Sequence, residues 1–194
     1  DSEYLVTEAI LMESTFPKSG MSLVDEASRA ALLNLIEQRH GIQRKALASG
    51  GSAANTIATV SGLGGKAFYS CKVANDATGA FFLRDLSAQG IGCNYDETDC
   101  PEGVTGECIS MITPDGERTL VTHLGITQNY SPSEIKAAAL TRSKYLYIEG
   151  YLVSSETGFE AALAAQAIAK SAGVPIALTL SDIGMVQGLS LIHI

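Results

Sequence analysis

The chain has 194 residues, of which 46% are hydrophobic and 18% are charged, a composition typical of one folded domain and not of a disordered segment. Its formal net charge of −8 argues against a nucleic-acid partner, because such binding depends on clustered Lys and Arg. No apolar run approaches the roughly 20 residues that span a bilayer, so we expect no membrane association. The 19 glycines and the absence of Trp favour an α/β architecture with a core of small aliphatic side chains.

The first helix signal lies at Met21 to Glu26. Ser22, with Asp25 three residues further on, is typical of a helix start. Apolar residues then follow at helical spacing as far as about His40. The pattern therefore predicts a helix that has Ser22 as its N-cap and ends near His40.

The rest of the chain alternates between helix and strand patterns. Two strand-like runs flank the turn Pro114-Asp115-Gly116, which is a strong hairpin signal. Beyond this hairpin the order is strand, helix, strand, which implies a right-handed crossover and parallel pairing. The predicted elements are a helix over 52–63, a strand over 67–73, a helix from Asp76 to about Gln89, the hairpin strands 105–113 and 117–124, a helix that starts with Ser131 as N-cap and Pro132, a strand over 145–148, a helix over 156–172 and a strand over 175–180.

The cysteines and histidines indicate no metal site. Their spacings match neither zinc nor redox motifs, and nothing near residue 1 resembles a signal peptide. We therefore expect reduced thiols, a cytoplasmic location and no metal ligand in the chain. The residues concerned are Cys71, Cys93, Cys100, Cys108, His40, His123 and His193.

A glycine pair, Gly50 and Gly51, precedes the helix predicted over 52–63. Glycines in front of a helix let the backbone approach a bound molecule closely and leave N–H groups available at the helix N-terminus. Asn55 lies near that end, so the segment suits hydroxyl or anionic groups. An ordinary turn followed by a satisfied polar residue is the other interpretation of the same residues. The loop is neither the dinucleotide fingerprint nor a P-loop, because the spacing of both motifs is missing.

Several blocks of the sequence occur in an order that resembles the ribokinase/PfkB family of kinases, and within it the adenosine-kinase-like branch. The first signature region of the family is matched by Gly50, Gly51 and Asn55 together with the segment from Lys72 to Gly79. The resemblance extends to about residue 187. The matching blocks are residues 21–26, 50–56, 64–65, 72–79, 86–90, 105–108, 113–119, 145–152 and 179–182.

The resemblance implies a ribokinase-like three-layer α/β fold with a parallel-rich central sheet and a small β lid. It assigns residues 1–187 to the N-terminal, substrate-binding part of a kinase domain, and it treats 188–194 as a tail outside the family pattern. The hairpin at about 105–124 matches the lid, which covers the substrate, excludes water and often forms the contact of a homodimer. An edge hairpin without a moving role is the alternative.

The resemblance also implies substrate contacts. Asp1 matches the aspartate that binds sugar hydroxyls, Gly50, Gly51 and Asn55 match the loop that holds them, and Cys108 matches a lid position that faces the ligand. The chemistry is suitable, because a carboxylate accepts two hydroxyl hydrogen bonds while an Asn side chain both donates and accepts. Without the resemblance, Asp1 is a frayed terminal residue and Cys108 a buried thiol.

Two further candidates follow the strand predicted over 145–148. Ligands of open α/β sheets bind beyond the carboxyl ends of the strands, and the resemblance makes Glu149 an additional sugar contact and Tyr151 a contact to a nucleoside base. Leu152 stands where a stacking aromatic is expected. A solvated turn at Glu149 and a packing role for Tyr151 are the alternative, and the residues alone do not choose between the two.

For activity, the resemblance implies a kinase that uses ATP and Mg²⁺ to phosphorylate a hydroxyl of a nucleoside or sugar. The catalytic Gly-x-Gly-Asp block of the family does not occur in this sequence. We therefore expect a truncated kinase without catalytic residues or activity of its own. A non-catalytic chain that binds a sugar or nucleoside is the alternative, whereas a nicotinamide-dependent Rossmann enzyme is disfavoured. Adenosine, another nucleoside and a simple sugar all remain open as substrates.

Overall fold

The computed structural model describes residues 1–96, 98–181 and 185–186. It consists of two compact units. The first contains Asp1–Gly50, Val73–Phe82 and Pro101–Ile126, and the second contains Gly51–Lys72, Leu83–Cys100 and the described residues from Thr127 onward. Within these residues no helix is both long and apolar enough to cross a membrane. The tail predicted at 188–194, and the boundary at 187, lie outside the described residues.

The helices and strands take up most of the described chain. In chain order they are β1 (Ser2–Leu5), α1 (Glu8–Ser14), β2 (Met21–Leu23), α2 (Glu26–Leu33), a π-helical turn (Asn34–Arg39), β3 (Ala46–Leu47), α3 (Ser52–Gly62), β4 (Ala67–Tyr69), α4 (Ala77–Ala88), β5 (Ile91–Cys93), β6 (Thr105–Ile112), β7 (Arg118–Gly125), two 3₁₀ turns (Ile126–Asn129 and Pro132–Glu134), α5 (Ala137–Leu140), β8 (Leu146–Ile148), a 3₁₀ turn (Gly150–Ser154), α6 (Glu156–Ser171) and β9 (Ile176–Leu178).

The first unit is built on a mixed five-stranded sheet with the order β2-β7-β6-β1-β3. Strands β6 and β7 form the predicted antiparallel hairpin, with Ile109 opposite Val121. Strand β1 runs parallel to β6 and antiparallel to β3, while β2 runs parallel to β7. The hairpin prediction is confirmed, and the sheet adds three strands that the sequence patterns did not identify.

One face of this sheet carries the core of the first unit. Because side chains alternate along a strand, Tyr4, Ile109, Met111 and Val121 lie on one face, where they pack with Ile36 and are all but fully buried. The opposite face remains open. Its apolar side chains include Leu5, Met21 and Leu23, which are 53%, 50% and 62% exposed.

The predicted start of the first helix is wrong. Ser22 lies in β2, opposite Val121, and the N-cap is Asp25, whose carboxylate accepts a hydrogen bond from the Ser28 N–H at 2.8 Å. Both residues are good N-caps, and pairing of β2 with β7 decides between them. The helical stretch ends at Arg39, close to the predicted position, but its last six residues form a π-helical turn.

The second unit contains two parallel strand pairs, β4 with β5 and β8 with β9. Helix α6 connects β8 to β9, which confirms the predicted β-α-β order. The hydroxyl of Ser155 caps α6 by accepting a hydrogen bond from the Gly158 N–H at 3.1 Å. Parallel pairs joined by helices confirm the α/β class.

The helix predicted to start at Ser131 is only one 3₁₀ turn, Pro132–Glu134. The Glu134 carboxylate reaches back to the Ser131 N–H at 2.7 Å, so the capping signal is real. Ile135 then adopts an extended conformation, which separates the turn from the short helix α5.

Candidate functional site

Asp1 and Gly50 lie side by side in the first unit. The backbone nitrogen of Asp1 donates to the Ala48 carbonyl at 2.8 Å, and the Ala48 N–H donates to the Asp1 carbonyl at 3.0 Å. These bonds continue the β1–β3 pairing and place the Asp1 carboxylate directly over Gly50, where an added Cβ would overlap it. Two residues that the sequence assigned to one site are therefore in contact, and the contact requires glycine at position 50.

Cys108 lies on the neighbouring strand. In the parallel pairing of β1 with β6, Ser2 is opposite Ile109, and continuing this register by one residue sets Asp1 opposite Cys108. Alternation along the strands puts both residues on the open face of the sheet. Asp1, Gly50 and Cys108 thus form one group, which we call the Asp1 group.

A buried ion pair lies on the other face, beneath the Asp1 group. The Glu107 carboxylate accepts from the Arg29 guanidinium and from the Ser2 hydroxyl, each at 2.6 Å, and the side chains of Glu107 and Arg29 are only 11% and 18% exposed. Paired and hydrogen-bonded, the two charges can remain buried. They tie α2 to the strands that carry Asp1 and Cys108. Sequence reasoning missed this pair, whose members are 78 residues apart.

Gly51 and Asn55 belong to the second unit and lie at the start of α3. Gly51 is the N-cap, with φ 101° and ψ 141°, and no side chain caps the helix. Its positive φ favours glycine. Asn55 is exposed and donates its backbone N–H to the Gly51 carbonyl at 2.9 Å. The exposed Asn55 side chain and the uncapped first turn of α3 present hydrogen-bonding groups at one helix end.

Glu149 and Tyr151 lie together in the second unit, just beyond the carboxyl end of β8. The Glu149 carboxylate accepts from the Ser181 hydroxyl at 2.8 Å and from the Tyr147 hydroxyl at 3.1 Å. The Ser181 hydroxyl also accepts from the Tyr151 N–H at 2.9 Å. Glu149 is therefore not a freely solvated turn residue, because it joins the segments that follow β8 and β9.

Two polar contacts, each within one unit, hold the matched block 72–79. In the first unit the Asp76 carboxylate accepts from the Thr105 N–H and hydroxyl, both at 2.7 Å. In the second unit Lys72 pairs at 2.7 Å with Glu134, whose side chain is only 3% exposed. Burial raises the pKa of Glu134, but hydrogen bonds from Lys72 and Ser131 outweigh this and lower it below its ordinary value. Neither the Asp76–Thr105 contact nor the Lys72–Glu134 ion pair could be predicted from the spacing of residues in the sequence.

The described residues do not fit a metal ion. Across 1–96, 98–181 and 185–186, no group of three or more His, Cys, Asp or Glu side chains is arranged to hold one.

Comparisons with known proteins identify related kinases. A model of the pfkB family carbohydrate kinases matches residues 24–191. The chain is 28% identical over 130 residues to a 5-dehydro-2-deoxygluconokinase from Photobacterium profundum, and 31% identical over 133 residues to one from Halalkalibacterium halodurans. These matches cover 66% and 68% of this chain, but only 39% and 40% of the two relatives.

Solved structures match nearly the whole chain. The adenosine kinase from Sinorhizobium meliloti and a probable sugar kinase from Rhizobium etli are each 33% identical, with a TM-score of 0.80 over 96% of this chain. An adenosine kinase from Anopheles gambiae, 19% identical, has the same TM-score over 98% and shows the fold alone. The chain spans 55–56% of these three structures. The shared fold is the ribokinase-like α/β fold expected from the sequence.

Proposed function

Because the chain belongs to the pfkB family of carbohydrate kinases, we propose that it is the substrate-binding part of an ATP-dependent kinase that phosphorylates a hydroxyl of a nucleoside or sugar. The Asp1 group is the observation that carries the proposal. It combines a carboxylate, a glycine that leaves room beside it, and a thiol on the same sheet face. One carboxylate accepts two hydroxyl hydrogen bonds, which suits the adjacent hydroxyls of a sugar.

The second unit supplies the other proposed contacts. Asn55 donates to and accepts from substrate hydroxyls, while Gly51 lets the backbone at the start of α3 approach them. Glu149, held by Ser181 and Tyr147, is an additional sugar contact, and Tyr151 contacts the base of a nucleoside. Leu5, Met21 and Leu23 are exposed apolar residues of the sheet that contains the hairpin at about 105–124. They support the proposal that this hairpin is a lid, because an apolar surface beside the substrate excludes water from the reaction.

Two compounds are candidates for the phosphoryl acceptor, and different relatives support each of them. The 33% identity to an adenosine kinase over 96% of this chain favours a nucleoside, whereas the curated relatives with 28% and 31% identity are 5-dehydro-2-deoxygluconokinases. A nucleoside and 5-dehydro-2-deoxygluconate each have a hydroxyl that a kinase can phosphorylate. ATP and Mg²⁺ are the cofactors of the proposed reaction, and the proposed compartment is the cytoplasm. A homodimer through the lid hairpin at about 105–124 is also part of the proposal.

A second candidate is binding without turnover by this chain. It is favoured by the absence of a Gly-x-Gly-Asp block from the sequence. Phosphoryl transfer depends on groups that position both reactants and stabilise the transferred charge. Under this alternative the chain binds the acceptor but releases no ADP.

Isothermal titration calorimetry with adenosine and with 5-dehydro-2-deoxygluconate tests the binding. We expect one of them to bind, and Asn55→Ala to weaken that binding by about 1–3 kcal/mol, since substrate hydroxyls lose a partner. Asn129→Ala is the matched control, because Asn129 is an exposed Asn of the same unit. Binding of neither compound would refute the proposal for both acceptors. An unchanged affinity in Asn55→Ala would remove Asn55 from the site.

The sequence of the gene downstream of residue 194 separates the two candidates. A Gly-x-Gly-Asp block there would support the kinase, and its absence would support binding without turnover. Acceptor-dependent ADP release by this chain itself would contradict both candidates, because neither gives these 194 residues the groups of phosphoryl transfer.

A further inference from the structure

Two cysteine thiols that are not among the residues proposed to bind substrate meet in the second unit. The Sγ atoms of Cys71 and Cys93 are 3.5 Å apart. Cys93 is the last residue of β5 and is paired with Tyr69, while Cys71 follows β4 by two residues. The separation of 22 positions between the cysteines matches no redox motif, so only the fold brings them together.

Asn94 fixes the backbone around this pair. Its side-chain oxygen accepts from the Cys71 N–H at 2.8 Å, and its side-chain nitrogen donates to the Cys71 carbonyl at 2.9 Å. Asn94 is 6% exposed and adjoins Cys93 in the chain. A buried side chain that uses both hydrogen-bonding ends in this way holds the two thiols at a short distance.

The two thiols differ in accessibility and acidity. Cys93 is half-buried and lines a pocket of about 310 Å³ together with Tyr95 and Asp96, whereas Cys71 is buried. A hydrogen bond from the Cys71 thiol lowers the pKa of Cys93 to about 7. Hydrogen bonding to Cys93 and burial raise the pKa of Cys71. Since the thiolate is the reactive form, the accessible member of the pair is also the more nucleophilic.

We propose that Cys71 and Cys93 are a modification site at which a peroxide forms a reversible disulfide. The Cys93 thiolate attacks one oxygen of hydrogen peroxide, the O–O bond breaks, and hydroxide leaves and is protonated to water. The Cys71 sulfur then attacks the resulting Cys93 sulfenic acid, loses its proton and displaces a second water as the S–S bond forms. Two thiols lose two electrons, and one peroxide is reduced to two waters.

The geometry requires only a small movement. Disulfide formation brings the two sulfurs from 3.5 Å apart to about 2.05 Å. Cys100 also lies in the second unit, where its thiol donates to the Asp96 carbonyl at 3.3 Å. It therefore serves as a control for oxidation that does not involve the pair.

Peptide mapping of the folded chain tests the proposal. The protein is treated with hydrogen peroxide, blocked with N-ethylmaleimide and digested with trypsin and Asp-N. The second protease is needed because Cys93 and Cys100 share a tryptic peptide and are separated by Asp96 and Asp99. We expect the Cys71–Cys93 disulfide to be at least about tenfold more abundant than any other pairing. A dithiol reductant should restore both thiols.

Cysteine variants test the two steps, sulfenic acid formation at Cys93 and attack by Cys71, separately. Cys100→Ser should form the disulfide as the unchanged chain does. In Cys71→Ser the reaction should stop at a Cys93 sulfenic acid, which dimedone traps. If Cys71→Ser fails to fold, the disulfide maps of the unchanged chain and of Cys100→Ser still show whether Cys71 pairs with Cys93. Retention of all four thiols in the peroxide-treated folded chain, or pairings with Cys100 as frequent as the Cys71–Cys93 disulfide, would overturn the proposal.

Discussion

The carboxylate of Asp1 occupies the space that a side chain at position 50 would need. Gly50→Ala should therefore displace the Asp1 carboxylate, and because Asp1 is exposed the unfolding free energy should change by at most about 0.5 kcal/mol. It should also weaken acceptor binding, because Asp1 belongs to the proposed site. Urea unfolding and calorimetry measure the two effects.

Gly62→Ala is the control for this substitution. Gly62 is the last residue of α3, and a Cβ there meets no atom within 4 Å. Alanine is the better helix former, so stability should stay the same or rise. Acceptor binding as tight in Gly50→Ala as in Gly62→Ala would mean that the Asp1–Gly50 contact does not position Asp1 for the acceptor.

Lys72→Met should be strongly destabilising. It leaves the Glu134 carboxylate, only 3% exposed in its side chain, without its cationic partner, and breaking a buried ion pair in this way costs about 3–5 kcal/mol. Lys66→Met is the matched control, because Lys66 is exposed in the same unit. Thermal unfolding of both variants is the measurement, and a similar loss in each would show that the ion pair is not responsible.

The same carboxylate makes stability depend on pH. The pKa of Glu134 is lower in the folded chain than its ordinary value, so the unfolded state binds a proton more readily. The stabilisation is therefore complete above the ordinary Glu pKa and is lost as pH falls through the folded pKa. Urea midpoints between pH 7 and pH 3 should fall less steeply in Glu134→Gln than in the unchanged chain. Parallel curves would contradict this assignment.

The helix cap at Asp25 offers a comparison between two neighbouring residues. Hydrogen bonds from the Ser28 side chain and N–H lower the pKa of Asp25, and the ionised carboxylate also faces the positive end of the helix. Asp25→Ala should lower Tm by about 2–4 °C. Ser22→Ala should leave Tm nearly unchanged, because Ser22 caps no helix. The opposite order in a calorimetric scan would restore Ser22 as the cap.

Local signals explain which elements could be predicted. The turn at Pro114-Asp115-Gly116 and the alternating runs beside it are contiguous in sequence, and they specify the β6–β7 hairpin. The start of α2 could not be decided in this way, because Ser22 and Asp25 are both good caps. Only the partner strand β7, about 100 residues later, makes Ser22 a strand residue.

The same distinction between local signals and long-range pairing applies to the candidate site. Family resemblance named Asp1, Gly50 and Cys108, but their meeting depends on β1 lying between β6 and β3, a register that spacing does not encode. The Arg29–Glu107 ion pair and the Cys71–Cys93 contact were missed for the same reason. Each joins residues brought together by packing, at separations of 78 and 22 positions.

The π-helical turn after α2 indicates where a homologous chain can lack one residue. A π-helical ring contains one residue more than an α-helical ring, so the segment 34–39 holds a residue that a regular helix would not need. Leu35 and Ile36 are buried, whereas Gln38 is exposed. Loss of the Gln38 codon would tighten the turn into an ordinary α-helix and leave both core side chains in place. It would disturb the surface pairs of Arg39 and His40 with Glu13 and shift the backbone hydrogen bonds of His40 and Ile42 to the turn. Such surface pairs contribute little to stability, so homologous chains one residue shorter should have their gap at this turn.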